Sequence, residues 1–477
     1  MRTLKIASVA LLLTLAGAAR AQVPPTPAGR QLAGWLEAFN SDRPEDLRRF
    51  LAANAPAATQ ERLLQPTAAT FDFRERTGGF DFRTADSSTA TRLSALVQER
   101  GSDQMARLTI SVQPEAPHRI TALSIMAVPR PPEFALPRTS EAELTTALRA
   151  KLAADAAAGA FAGAVMLAKD ERVVFDGAYG LADREQRIAN TLETQFRIGS
   201  MNKMFTAVAV LQLAQDGKLR LDAPLGTYLT DYPNKEVASK VTIHHLLTHT
   251  GGTGDIFGPQ FFARRRELRT IHDYLTLYGA RGLEFEPGSQ WAYSNHGFLL
   301  LGAVIEKVSG TSYYDYVATH VFASAGMSST ASLPEDSVVP RRSVGYTRNG
   351  RTLVSNAPEL PYRGTSAGGG YSTVGDLLRF ATALREHKLL NPRYTELLTT
   401  GKVDARGAKY AYGFFDRVAG GVRFVGHGGG APGMNGDLEI DPRSGYVIAV
   451  LSNLDPPAAQ RVAEFITNRL PSAPVRP

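Results

Sequence analysis

The chain has 477 residues, of which 43% are hydrophobic and none is cysteine, and its formal net charge at pH 7 is +7. This length predicts two domains, and the apolar fraction is sufficient for sizeable cores that need no cofactor for stability. The lack of cysteine excludes disulfides and a lipoprotein anchor, and the dispersed arginines argue against nucleic-acid binding.

The first 21 residues have the pattern of a secretory signal peptide. Arg2 and Lys5 precede a mostly apolar stretch, residues 6–18, and the small-residue segment 19–21 is typical of a cleavage site. We expect cleavage between Ala21 and Gln22 and a periplasmic or secreted mature protein. The apolar stretch is too short for a stable membrane anchor.

Residues 22–132 predict a small α+β accessory domain and linker. Two short helical patterns from Arg30 to Leu51 are followed by alternating polar and apolar segments between Phe71 and Val128. By this pattern alone the region resembles the cone-shaped, nuclear-transport-factor-2-like (NTF2-like) domains. The proline-rich segment 129–132 is a stiff linker. We expect the domain to dock or to form a homodimer, with a catalytic role as the alternative.

The second domain is expected over residues 139–471 and has strand patterns at both ends. A helix from Ser140 to Ala158 precedes a hairpin from Phe161 to Ala178. A last strand, Gly445 to Ser452, precedes a helix from Ala458 to Leu470. Strands at both ends with helices between them predict an α+β architecture.

A serine and a lysine, Ser200 and Lys203, begin a long apolar segment. From Met204 the apolar residues recur at helical spacing until Gly217 ends the pattern. Residues three apart share one face of a helix, and a buried amine that is disfavoured in its charged form can accept the serine proton. A capped amphipathic helix is the alternative interpretation of this motif alone.

Two further motifs follow in order. The first is Tyr293-Ser294-Asn295, and the second is His427-Gly428-Gly429-Gly430. With Ser200 and Lys203 they resemble the three signatures of the serine β-lactamase and penicillin-binding-protein family. The similar subgroup carries Tyr-x-Asn and His-x-Gly and includes class C-like lactamases, esterases, D-aminopeptidases and DD-carboxypeptidases. The resemblance implies a five-stranded antiparallel sheet flanked by helices, with a helical subdomain.

The resemblance also implies a role for each motif residue. Ser200 is the expected nucleophile, Lys203 its base, and Tyr293 a proton shuttle whose ionised form the lysine favours. Asn295 would hold Lys203 and the substrate amide. The backbone N–H groups of Ser200 and Gly430 would form the oxyanion hole. The support for the substrate would come from an edge strand carrying His427, Gly428 and Gly429, which can approach the substrate backbone closely. No metal or cofactor is implied.

These residues predict a secreted serine hydrolase that forms an acyl-enzyme on Ser200. Many lactamases carry lysine where this chain has His427, which is expected to be only partly charged near neutral pH. The substitution favours small esters or D-amino-acid-containing amides and peptides as substrates. The alternatives are a DD-carboxypeptidase, a weak class C-like β-lactamase or penicillin-binding sensor, and a non-catalytic binding protein that uses its N-terminal domain.

Three other patterns compete with this interpretation. Ser366 lies in a Gly-x-Ser-x-Gly segment that is typical of α/β-hydrolases, but no buried strand precedes it. Tyr232 belongs to a second Tyr-x-Asn, in a stretch that favours a turn. His244, His245 and His249 include an i, i+4 pair that could bind a metal, although we expect a polar network that braces the floor of the site.

Overall fold

The computed structural model describes residues 22–41, 43–64, 73–350 and 352–471. The chain forms two compact units. The N-terminal unit ends at Ala127, and the C-terminal unit begins at Val128 and also includes Ser102–Gln104. The signal-peptide prediction lies outside the described residues.

The N-terminal unit consists of helices followed by a meander, as the sequence predicts. Its described helices include α1 (Pro27–Asn40), α2 (Pro44–Asn54) and α3 (Ala57–Leu64). Its sheet has the order β1 (Phe80–Ser88), β2 (Arg92–Glu99), β3 (Met105–Val112) and β4 (Ile120–Val128). Leu32, Trp35 and Phe39 recur at helical spacing along α1 and pack on the apolar face of the sheet. Their partners in this core include the strand residues Leu93, Val97, Leu108 and Ile110.

The C-terminal unit is built on an eight-stranded antiparallel sheet. In spatial order the strands are β13 (Val403–Ala405), β14 (Ala408–Tyr410), β15 (Phe415–Ala419), β16 (Val422–Ala431), β17 (Met434–Ile440), β18 (Tyr446–Ser452), β5 (Gly163–Lys169) and β6 (Arg172–Tyr179). The last five of these match the five-stranded sheet that the family resemblance implies. Three short strands extend it, in which β15 pairs with the edge of β16, β14 pairs with β15 and β13 pairs with β14.

The β16 strand keeps part of its edge open. The strand β15 pairs only with Val422–Gly426, so the glycine-rich half of β16 pairs with β17 on one side and leaves its other edge to the cleft. The expectation of a strand edge at His427–Gly430 therefore agrees with the topology, although three more strands lie beyond β16.

Helices cover both faces of the sheet. One face packs on α4 (Glu141–Ala157) and α14 (Ala458–Thr467). The other face packs on α5 (Asn202–Gln215) and α12 (Val374–Arg385), and α10 (Asn295–Ser309) packs on α5 from outside. Alternate strand residues face the two layers, so Val165 and Ile448 join one core while Ala164 and Ala449 join the other.

The remaining elements are short. The helices are α6 (Lys235–Lys240), α7 (Ile243–Leu247), α8 (Pro259–Arg264), α9 (Ile271–Tyr278), α11 (Tyr313–Val317) and α13 (Pro392–Thr399). The two-stranded pairs are β7 (Leu181–Asp183) with β8 (Ile188–Ala189), β9 (Phe196–Arg197) with β12 (Tyr371–Ser372), and β10 (Tyr346–Asn349) with β11 (Thr352–Ser355). Within the described part of the chain, no helix is long and apolar enough to cross a membrane.

Candidate active site

Ser200 and Lys203 lie at the start of α5. Ser200 is in a 3₁₀ turn, Gly199–Met201, that leads directly into the helix. The Lys203 Nζ atom lies 3.3 Å from Ser200 Oγ, and the Lys203 side chain has no exposed surface. The helix is buried almost all round rather than amphipathic, which removes the alternative interpretation of this motif. A fully buried amine next to a hydroxyl is the arrangement of a base beside a nucleophile.

The Lys203 amine is enclosed by polar and aromatic groups, and its burial favours the neutral form. Its Nζ donates to Asn295 Oδ1 at 2.7 Å and to the carbonyl of Ala367. It also lies 4.7 Å from the centroid of the Tyr293 ring. Burial lowers the pKa of Lys203 to about 7, although the Asp255 carboxylate partly opposes this shift.

Tyr293 and Asn295 reach the cleft because a helix begins between them. Ser294 is the N-cap of α10, and its Oγ accepts from Gly297 N at 2.9 Å. Tyr293 therefore precedes the cap, and Asn295 is the first helical residue. Asn295 Nδ2 donates to both oxygens of Asp255, at 3.0 and 3.2 Å. In this structure the Asn295 amide is thus held between Lys203 and Asp255.

Tyr293 is protonated, which corrects the expectation that its ionised form is favoured. Burial raises the pKa of Tyr293 well above its usual range, and a hydrogen bond with Ser200 only partly opposes that rise. The expectation assumed a permanent lysine cation beside the phenol. Because burial also removes the charge of Lys203 near neutral pH, the attraction that would stabilise a phenolate is lost.

The turn that carries Ser200 lies against the glycine-rich half of β16. A Cβ atom on Gly199, whose φ is 53°, would lie 3.0 Å from Gly430 N. A Cβ atom on Gly429 would lie 1.9 Å from the carbonyl oxygen of Ile198, so only glycine fits there. The two backbone segments predicted to supply the oxyanion hole, at Ser200 and Gly430, are therefore adjacent.

His427 is neutral, which corrects the expectation of partial charge near pH 7. Only 4% of the residue is exposed, and burial lowers the pKa of His427 to about 3. Its Nε2 lies 3.2 Å from the Tyr410 hydroxyl, and its Nδ1 bonds to the carbonyl of Gly428. Both ring nitrogens are therefore occupied by the protein, and His427 braces the strand rather than presenting a charge.

The structure adds residues that the sequence motifs did not include. Asp255 orients Asn295, and its only sequence signal is a carboxylate six residues after His249. Arg406 lies at the turn between β13 and β14, with its guanidinium 5.6 Å from the centroid of the Tyr293 ring. Arg406 is exposed, so it is a positive charge at the mouth of the site. No sequence pattern marks it.

Ser366 and Tyr232, which belong to the competing motifs, are buried in the protein core. Ser366 is completely buried against Gly302, where an added Cβ would lie 2.3 Å from its Oγ. A side chain enclosed in this way cannot attack a substrate. Tyr232 is 3% exposed and packs in the core of the helical subdomain, and the third residue of its motif, Asn234, caps α6.

The three histidines of residues 244–249 bond to different partners. His244 Nδ1 lies 2.8 Å from the Tyr412 hydroxyl, and His245 Nδ1 accepts from Thr242 N at 3.3 Å. His249 bonds to Tyr410 and Ser294 near the site. The histidines thus form polar contacts rather than converging on one point. Among the residues that the structure describes, no group of three or more potential ligands could hold a metal ion.

Comparison with known proteins places this geometry in a family. The sequence model of the family described as Beta-lactamase matches residues 146–470. The putative penicillin-binding protein PbpX of Bacillus subtilis (strain 168) is 32% identical over 294 residues, which are 61% of this chain and 70% of that protein.

Two solved structures are also similar. A penicillin binding protein from Bacillus halodurans has a TM-score of 0.60 and 32% identity, covering 69% of this chain and 99% of that chain. A D-stereospecific amidohydrolase from Streptomyces sp. has a TM-score of 0.57 and 27% identity, covering 68% of this chain and 98% of that chain. Because the family match spans more than half of the chain and contains all of the motif residues described above, this protein belongs to the beta-lactamase family of serine hydrolases.

Proposed function

We propose that this protein hydrolyses small esters or D-amino-acid-containing amides and peptides through an acyl-enzyme on Ser200. The observation that carries the proposal is the 3.3 Å contact between Ser200 Oγ and a completely buried Lys203 amine. With its pKa lowered to about 7, a large part of that amine is neutral at physiological pH and can act as a base.

In the acylation step, Ser200 Oγ attacks the substrate carbonyl carbon while its proton moves to Lys203 Nζ. The bond to the leaving group then breaks, and the leaving oxygen or nitrogen takes a proton from Lys203 through the Tyr293 hydroxyl. The N–H groups of Ser200 and Gly430 stabilise the tetrahedral oxyanion. Because Tyr293 is neutral, it relays a proton in each direction without becoming a stable phenolate.

In the deacylation step, water takes the place of the leaving group. The Lys203–Tyr293 pair removes a proton from the water, which attacks the ester carbonyl of the acyl-enzyme. The bond to Ser200 Oγ then breaks, and the serine recovers its proton. The products are the free acid and the regenerated serine, so the cycle needs no metal or cofactor.

The proposed substrate class follows from the charge at β16. His427 is neutral and has both ring nitrogens occupied, so it supplies no permanent clamp for a substrate carboxylate. This favours neutral esters and amides over penicillins and peptides with a free C-terminus. The similarity to a D-stereospecific amidohydrolase supports amides of D-amino acids. The similarity to penicillin-binding proteins keeps a DD-carboxypeptidase or a penicillin-acylated sensor as the second candidate.

Covalent labelling with a fluorophosphonate probe tests the nucleophile. The wild-type chain is expected to be labelled on Ser200, Ser200→Ala to lose the label, and Ser366→Ala to keep it. A label found on Ser366 would contradict the proposal. A panel of short acyl esters, D-amino-acid amides and a chromogenic cephalosporin, given to unlabelled wild-type enzyme with Ser200→Ala as the blank, then ranks the substrate classes.

We also propose that the mature protein is exported, beginning at Gln22, and that two copies associate through the N-terminal unit. The edge strand β4 supports the association, because most of its residues are at least partly exposed and Met126 is 67% exposed. Light scattering on the mature protein measures the mass, and Met126→Lys is expected to shift a dimer toward the monomer.

A further inference from the structure

Three buried side chains form a hydrogen-bonded chain behind Tyr293. His249 Nε2 lies 3.1 Å from the Tyr410 hydroxyl, which lies 3.2 Å from His427 Nε2. Of these residues, His249 is 1% exposed, Tyr410 0% and His427 4%. They come from three separate parts of the fold, namely the turn after α7, the strand β14 and the strand β16.

The other hydrogen bonds of His249 and His427 define the position of each proton in this hydrogen-bonded chain. The backbone N–H of Ser294 donates to His249 Nδ1 at 3.1 Å, so that nitrogen carries no proton. His249 Nε2–H therefore donates to the Tyr410 oxygen, and the Tyr410 O–H donates to His427 Nε2. His427 Nδ1–H then donates to the carbonyl of Gly428. Each donor has one acceptor, and both imidazoles are neutral.

Each end of this chain holds a part of the site. The His249 carbonyl accepts from Ala292 N at 3.0 Å, and Ser294 N bonds to the His249 ring, so both neighbours of Tyr293 are tied to His249. The His249 ring also packs on the Tyr293 ring, with 4.3 Å between centroids. At the other end, Gly428 precedes the oxyanion strand residue Gly430 by two positions.

We propose that Tyr410 is a positioning residue that fixes Tyr293 relative to the oxyanion strand by joining His249 to His427. Tyr410 does not touch the reacting atoms and acts through these two histidines. This role rests on the proposed function, because it matters only if Tyr293 moves protons to and from a substrate at Ser200. It also explains why a histidine stands in the third motif, since the neutral ring accepts from Tyr410 at one nitrogen and donates at the other.

Another buried tyrosine of this protein is a matched control for the test. Tyr412 makes the same kind of contact, with its hydroxyl 2.8 Å from His244 Nδ1, and it is 4% exposed. Tyr412 touches neither Tyr293 nor the oxyanion strand in any described contact. Tyr410→Phe and Tyr412→Phe therefore each remove a buried tyrosine hydroxyl that bonds to histidine, with the ring retained. Only Tyr410→Phe disconnects His249 from His427.

Steady-state kinetics on a neutral ester compare the two variants with the wild type. We expect Tyr410→Phe to lower kcat by roughly tenfold to a hundredfold with a smaller change in KM, as typical for misplaced groups. We expect Tyr412→Phe to keep kcat near that of the wild type. Equal losses in the two variants would overturn the proposal, since they would show a general effect of removing a buried hydrogen bond.

A pH profile separates positioning from a change of charge. Burial and the two cationic groups that face His427, Lys203 on α5 and Arg406 at the β13–β14 turn, keep its ring neutral whether or not Tyr410 donates to it. We therefore expect Tyr410→Phe to lower kcat by the same factor at every pH between about 5 and 8, because the titration of Lys203 is unchanged. A factor that changes with pH would contradict positioning, since it would show that the variant acts by altering the charge of the site.

A second variant keeps the test decisive if Tyr410→Phe does not fold. His249 has a left-handed backbone with φ 59°, which asparagine adopts readily. The shorter His249→Asn side chain reaches neither Tyr410 nor the Tyr293 ring, so the variant is expected to lower kcat at least as much as Tyr410→Phe. Its matched control is His244→Asn, which removes the bond to Tyr412 and is expected to keep kcat near that of the wild type. Equal losses in the two histidine variants would overturn the proposal.

Where Tyr410→Phe folds, the double variant is expected to lose no more than His249→Asn alone, and full additivity would also overturn the proposal. Fluorophosphonate labelling of wild-type Ser200 is measured in parallel, because its failure refutes the proposed function independently of Tyr410.

Discussion

The charge states of Lys203 and Tyr293 are set by burial. Lys203 has no exposed surface, and burial lowers its pKa to about 7. The same burial raises the pKa of Tyr293 well above its usual range. The site therefore holds a neutral base beside a neutral phenol near physiological pH, and a proton can pass between Ser200, Lys203 and Tyr293 without a stable ion pair.

The pH dependence of kcat/KM tests the state of Lys203. Its pKa is lowered, so the neutral base is absent at acid pH and forms as the pH rises through about 7. We expect kcat/KM for a neutral ester to rise between about pH 5 and 8 and then to level off, because Tyr293 stays protonated well above that range. A rate that falls as the pH rises through 7 would show that a protonated group is needed instead.

Substitution of the motif tyrosine tests proton transfer. Tyr293→Phe removes the hydroxyl beside Ser200, and Lys203→Ala removes the amine, so each is expected to lower kcat roughly a hundredfold or more. Tyr232→Phe is the matched control, because Tyr232 is buried too and its hydroxyl has no hydrogen-bond partner among the described residues. Circular dichroism checks that the variants fold. If the two tyrosine variants lost equal activity, the motif would be assigned to the wrong tyrosine.

Two element boundaries place the motif residues. The helix α10 begins at Asn295 because Ser294 caps it, so Tyr293 and Asn295 lie on either side of the cap. The strand β16 pairs with β15 only as far as Gly426, so the strand edge from His427 onward faces the cleft. Each boundary is a local feature, but the cleft forms only where α5, α10 and β16 meet.

The β16 strand also predicts how substrate charge affects the pH profile. His427 is neutral down to about pH 3, so its ionisation does not change the binding of a carboxylate in the working range. We expect anionic and neutral substrates to show the same pH profile of kcat/KM. We expect His427→Lys to lower KM only for the anionic substrate and to lower kcat for both, because an ammonium cannot accept from Tyr410. A steep loss confined to anionic substrates between about pH 6 and 8 would mean that His427 is charged and would favour the carboxypeptidase alternative.

At the scale of the whole chain, two compact units carry separate cores. Only the C-terminal unit contains the residues of the candidate site, and the family match begins at residue 146. The function of the N-terminal unit therefore stays a prediction, as does its resemblance to NTF2-like domains. The sequence pattern of helices followed by a meander agrees with α1–α3 and the four-stranded sheet.

Signal-peptide cleavage is a prediction about the whole chain. The basic, apolar and small-residue segments of residues 1–21 predict export and cleavage after Ala21. N-terminal sequencing of the protein recovered outside the inner membrane is expected to begin at Gln22. Recovery of a chain that begins at Met1 in that fraction would contradict cleavage.

The sequence alone determined the family, the α+β class and the positions of the motifs. These follow from local patterns, since a serine and lysine at helical spacing, a capping serine and a run of glycines are visible in short segments of the chain. Their order along the chain made the resemblance specific, and the family match and the fold confirm it.

The tertiary structure alone decided the charges and the supporting residues. The pKa values of Lys203, Tyr293 and His427 depend on burial by segments far away in sequence, which no short motif reports. For the same reason Asp255 and Tyr410 became visible only when folding brought them to Asn295 and His427. The extra strands β13 to β15 were missed because strand pairing is a long-range contact, whereas the patterns that predict single strands are local.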